Sequence, residues 1–91
     1  NPYVRKSGQF EPAIYCAGPS SCSGTAAIIL KKRVIAQAQF SVKAASSGRI
    51  PMRISRRDFN ALRKARGKRL FVTFALVSPL GNFSKMFFLK N

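Results

Sequence analysis

In the segment Val34-Ile35-Ala36-Gln37-Ala38-Gln39-Phe40-Ser41-Val42, apolar residues stand at 34, 36, 38, 40 and 42 and polar ones at 37, 39 and 41. Successive side chains of a strand point to opposite faces, so this period of two predicts a strand with one dry face and one wet face. The alternation recurs. Phe10, Pro12, Ile14 and Cys16 repeat it upstream, and Ile50, Met52 and Ile54 alternate with Pro51, Arg53 and Ser55 downstream. Pro51 has no N–H to give to a ladder, which puts that strand at a sheet edge or a bulge. Thr25 to Leu30 and Leu70 to Val77 are more continuously apolar and read as better-buried strands. Phe83 to Leu89 reads as the closing strand, and Tyr3 to Lys6 as a candidate for a short first one.

The connections between these runs fit the same class. Ser46-Ser47-Gly48 and Pro79-Leu80-Gly81-Asn82 are turn clusters. Lys31-Lys32 joins two β runs, but neither residue favours positive φ, so a turn longer than two residues is expected there. One segment has a different period. Ser55-Arg56-Arg57-Asp58 supplies an N-cap serine with an acid three residues on, Phe59 and Leu62 recur at helical spacing, and Gly67 stands where a helix C-cap belongs. A helix over residues 55–66 is therefore predicted, its Phe59 and Leu62 plugging one end of the core and its late cations favoured by the macrodipole.

A chain of 91 residues has room for one core, so residues 1–91 are read as a single domain. That core must withstand a formal net charge of +15, from seventeen Lys and Arg against Glu11 and Asp58 alone; such a field repels itself and favours anionic partners. A bridge between the only cysteines, Cys16 and Cys22, would close a small loop and stabilise the fold by about 2.4 kcal/mol. The alternative is a pair of free thiols. A disulfide implies an oxidising compartment, and with it a secreted or cell-surface location. Asn1 is followed by no charged region and apolar stretch of the export type, so any export signal is expected to have been removed or to lie outside these residues. Leu70 to Leu89 holds only Lys85 as a charge, but Ser78-Pro79-Leu80-Gly81-Asn82 breaks it into two runs of strand length, and no membrane span is expected.

The order Cys16, Cys22-Ser23-Gly24-Thr25, Lys31-Lys32-Arg33, the strand ending Ala38-Gln39-Phe40-Ser41-Val42, the Arg49 to Ile54 strand, the helical turn from Ser55 to Arg63, the link Arg66-Gly67-Lys68-Arg69 and the Pro79 to Asn82 hairpin resembles the immunoglobulin-like or fibronectin-type-III-like repeats of secreted bacterial surface proteins. The resemblance runs over roughly residues 4 to 90. It implies an all-β immunoglobulin-like β-sandwich of about seven antiparallel strands with one short helix between two of them. It also implies use as a spacer, display or adhesion module within a larger extracellular protein. The last strand departs from the pattern, because Phe83, Met86, Phe87, Phe88 and Leu89 replace the Thr-rich alternation of such repeats. Phe83, Met86 and Phe88 are therefore candidates for an interface with a neighbouring domain or another copy; the alternative is that these aromatics fill the core.

No catalytic constellation, cofactor motif or metal set is evident. There is no His, which excludes Ser/His/Asp and Cys/His nucleophile systems. Glu11 and Asp58 make a poor glycosidase pair, since Asp58 has a capping role. Two cysteines are too few for a zinc site, and the glycines are scattered singly at turns instead of forming a phosphate loop. The reading is a non-enzymatic module without a cofactor. What remains is the basic surface: Arg49, Arg53, Arg56, Arg57, Arg63, Lys64, Arg66, Lys68 and Arg69 in one stretch, with Lys31, Lys32 and Arg33 as a second cluster. Together they are candidates for binding a polyanion such as an acidic polysaccharide, a wall polymer or nucleic acid. The competing readings are a solvated basic rim without a partner, a charge-driven nucleic-acid-binding protein, and a subunit that self-assembles through its aromatic C-terminal strand.

Overall fold

The computed structural model describes residues 2–79 and 81–91; the predicted turn at Pro79-Leu80-Gly81-Asn82 thus includes one residue, Leu80, that lies outside the described residues. The strands are β1 (Gln9–Phe10), β2 (Ala13–Cys16), β3 (Cys22–Leu30), β4 (Arg33–Val42), β5 (Ser46–Arg49), β6 (Met52–Arg53), β7 (Arg69–Ser78) and β8 (Gly81–Lys90). A helix, α1 (Arg56–Lys64), and a 3₁₀ turn (Arg66–Lys68) separate β6 from β7. The fold is all-β with one helix, and its strands pair antiparallel throughout.

β4, β3, β7 and β8 form one sheet in that order. β1 pairs with β6 and β2 with β5, and the Ile50 N–H donates to the Pro12 carbonyl at 3.0 Å between the two pairs. They amount to one two-stranded ribbon, interrupted where Pro12 and Pro51 cannot donate to a ladder. Phe10, Ile50 and Met52 of the ribbon, with Ile54 just beyond it, bury against Ala26, Ile28, Val72, Phe74 and Leu89 of the sheet. Phe59 and Leu62 of α1 join that cluster, as their helical spacing predicts.

The alternation in β4 holds from Ala36 to Val42 and fails at Val34. The β3–β4 register slips so that Ile28 faces Ala36 while Ile29 faces Val34, leaving Ile35 as the extra residue of a bulge. An extra residue reverses the faces of all that precedes it. Ile35 is accordingly buried and Val34 is 53% exposed. The continuous apolar runs also need correction, because β7 buries Val72 and Phe74 on one face while Phe71 and Val77 on the other are half exposed.

The predicted helix over residues 55–66 is shorter. Ser55 caps its N-terminus by accepting from the Asp58 N–H, and Ala65, in extended backbone, ends it in place of Gly67. Gly67 serves the following 3₁₀ turn, where φ of +72° calls for a residue without Cβ. The Lys31-Lys32 turn contains two residues and no more, both left-handed at φ +49° and +67°. Such a turn matches the twist of its flanking strands, and that match prevails over the reluctance of lysine. Tyr3 to Lys6 forms no strand; Tyr3 makes a single parallel bridge to Lys90.

Candidate polyanion-binding surface

The site begins with a buried carboxylate. Asp58 is 4% exposed, and both of its oxygens are engaged: the Arg33 guanidinium donates to Oδ1 at 2.7 Å and the Ser55 hydroxyl to Oδ2 at 2.9 Å. Arg33 lies at the start of β4, directly after the Lys31-Lys32 turn. The helix cap thus doubles as a clasp that pins the hairpin tip to the first turn of α1, across a sequence separation of 25. The two basic clusters seen in the sequence become neighbours through this contact.

Strand register carries more cations to the same end. Ile29 pairs with Thr73, which sends Arg69 toward the Lys31-Lys32 turn, and Arg69 pairs with Lys90. The Asn91 N–H donates to the Lys68 carbonyl at 3.0 Å, and the Asn91 side chain donates to the Val4 carbonyl at 3.0 Å. All the candidate cations, Lys31, Lys32, Arg33, Arg49, Arg53, Arg56, Arg57, Arg63, Lys64, Arg66, Lys68 and Arg69, are exposed. They do not all share one place. Arg53 lies on β6 opposite Gln9, whereas Arg49 borders a separate cleft with Arg5 and Lys85.

Three residues join the basic end that the sequence did not single out. Tyr3, Lys6 and Lys90 come from the two chain ends, which are joined by the Tyr3–Lys90 bridge and by the Val4 N–H donating to the Lys90 carbonyl at 2.7 Å. Tyr3 is 65% exposed and lines a cavity of about 370 Å³ with Lys6, Arg56, Phe59, Asn60 and Arg63. No local sequence signal could have paired residue 3 with residue 56. A second cation and aromatic meet where Arg69 stands 4.8 Å from the Phe88 ring centre, while Phe71 and Phe88 stack obliquely at 5.0 Å.

The opposite end is built differently. Cys16 and Cys22 form a disulfide, with Val42 paired to Cys22 and with Ser78 and Phe83 lining one cavity with Cys22. Lys43 is the single cation of segments 16–24, 42–48 and 77–83. Charge is therefore segregated along a molecule 42 Å long.

The three candidate interface residues do not share a face. Phe83 points to the same side of β8 as Phe87 and Leu89, whereas Met86 and Phe88 point to the other side, beside Thr73 and Phe71. Phe83 and Met86 are well exposed and Phe88 partly buried. Glu11 stands exposed in the link between β1 and β2. Among the described residues, no group of three or more His, Cys, Asp or Glu converges to hold a metal, and no helix is long and apolar enough to cross a membrane. Compared with protein-family models, with curated proteins and with solved structures, the chain matches none.

Proposed function

We propose that this chain is a non-enzymatic immunoglobulin-like β-sandwich module of a secreted or cell-surface protein, and that its basic end binds a polyanion, foremost an acidic polysaccharide or wall polymer. The observation that carries the reading is the Arg33–Asp58 contact at 2.7 Å. It joins the hairpin cations to those of α1 into one surface, with a single acid beneath them that is already neutralised. Two clusters that bind as a unit gain avidity over either alone, and the exposed guanidinium groups suit bidentate recognition of sulfate, carboxylate or phosphate. The disulfide fits an oxidising compartment. The sandwich reading is supported by the ribbon that buries its apolar side against one face of the four-stranded sheet. The other face, with Val34, Phe71, Val77 and Met86 half exposed, is suited to packing against a neighbouring domain of the same parent protein.

Nucleic acid is the second reading, favoured by one specific feature. Tyr3 offers an exposed ring among Lys6, Arg56 and Arg63, and an aromatic beside cations can stack a base of a single strand. Titrating heparin and single-stranded DNA at increasing salt separates the readings. For the polysaccharide reading, heparin binds with an affinity that falls linearly in log salt, and Arg56→Gln/Arg57→Gln lowers the slope by about 2. DNA binding that Tyr3→Ala weakens, while heparin binding is unchanged, would favour the second. Indifference of both polymers to salt removes the polyanion function.

A further inference from the structure

The cleft bordered by Arg49 is one half of a longer groove. Two cavities of about 610 and 820 Å³ lie end to end, and both are lined by Ala13 and Lys85. One reaches toward Tyr3 and Arg5, the other toward Pro19 in the disulfide loop. The floor is the inward side of β8, where Phe83 is 63% exposed although Phe74 and Leu76 lie behind it. The wall is the edge of β2, which pairs with β5 alone among the described residues. The groove exists because a two-stranded ribbon lies over a four-stranded sheet: β5 and β6 contact β4, and among the described residues no strand is left to cover the part of β8 around Phe83 and Lys85.

We propose that this groove takes an extended peptide segment of a partner protein, laid along the edge of β2. Its apolar side chains would alternate onto Phe83, Leu76 and Ile14, and a carboxylate would come over Arg5, Arg49 and Lys85. An open strand edge presents alternating N–H and C=O groups that only another backbone matches in period, and side-chain pockets beside such an edge select every second residue. Charge selects the class of peptide, since the half of the groove near Arg5 carries three cations against Glu11. It also argues against a second copy as occupant, since each copy brings +15 and the facing cations would repel. The groove meets the basic end at Tyr3, but its own cations, Arg5, Arg49 and Lys85, are not those of the helix and hairpin.

The test starts from a phage-displayed library of random peptides selected on the intact, disulfide-bonded protein, with binding of enriched sequences read by fluorescence anisotropy. The expected result is enrichment of sequences that alternate apolar and polar residues and include an acid. Phe83→Glu weakens their binding by about tenfold or more, since a buried Phe contact contributes at least that much. Lys85→Glu also weakens them, and Arg56→Gln/Arg57→Gln leaves them unchanged. Phe83 and Lys85 are exposed, so both variants keep the wild-type circular dichroism. The proposal is overturned if no sequence is enriched, or if enriched peptides bind Phe83→Glu as they bind wild type. It is overturned equally if acidic peptides without alternation win and lose affinity through Arg56 and Arg57. A wild-type mass that doubles with concentration and does not do so in Phe83→Glu would assign the groove to a second copy instead.

Discussion

The two ends of the molecule are held by opposite means. At one end a covalent bond, Cys16 to Cys22, closes a loop of small and polar residues that carries no charge. At the other, a helix plug and a single buried carboxylate hold together the densest positive charge in the chain. A disulfide needs no help from its electrostatic surroundings, whereas like charges can be gathered only where something compensates them or where burial outweighs their repulsion. The basic end combines both devices, with Asp58 compensating Arg33 and Phe59 and Leu62 supplying the burial. The contrast teaches that the fold anchors its neutral end by a crosslink and leaves its charged end accessible on a packed base.

The largest expected effect compares two phenylalanines on the same side of the sheet. Phe74 is 2% exposed beneath the ribbon and Phe83 is 63% exposed beyond it. Phe74→Ala should lower stability by about 3–5 kcal/mol in urea unfolding, and Phe83→Ala by less than about 1 kcal/mol. Equal losses would mean that the ribbon covers the sheet more evenly than these two exposures imply.

The next effect separates the ends themselves. Cys16→Ser/Cys22→Ser should cost about 2.4 kcal/mol of stability without changing heparin affinity, because no candidate cation lies in that loop. Asp58→Ala should cost about 2 kcal/mol, combining a lost cap with a lost partner for Arg33; the figure stays modest because the Arg33 side chain is 55% exposed. If Asp58→Ala were neutral in thermal unfolding, the clasp would not be what holds the hairpin to the helix. The smallest effect concerns the turn. Lys32→Gly relieves a left-handed lysine at φ +67° and should raise stability by up to about 1 kcal/mol, even as it removes one cation from the site.

Much of the fold was legible because it rests on local repetition. Phe10, Cys16, Met52 and Ile54 are buried where alternation placed them, and the Ser55–Asp58 cap was readable from four residues. What escaped depends on contacts between distant segments. The bulge at Ile35 arises from the β3–β4 register, which a single strand's pattern cannot reveal, so alternation alone puts Val34 on the wrong face. The apolar run of β7 suited a strand buried on both sides, yet the ribbon covers only one. For the candidate site, the residue types were visible and their assembly was not. Lys31-Lys32-Arg33 and the helix cations stood as two clusters until Asp58 joined them. Tyr3 and Lys6 entered through the pairing of the two chain ends around Lys90, and Arg49 left the group because it lines the groove with Arg5 and Lys85.

The central claim is that two stretches far apart in sequence act as one anion-binding end. Amide spectra of the labelled protein during titration with a heparin oligosaccharide test it most directly. Signals around Lys31 to Arg33 and from Arg56 to Arg69 should shift along one shared saturation curve, while those from Cys16 to Cys22 stay in place. Separate curves for the two stretches, or shifts spread evenly over the surface, would contradict the account.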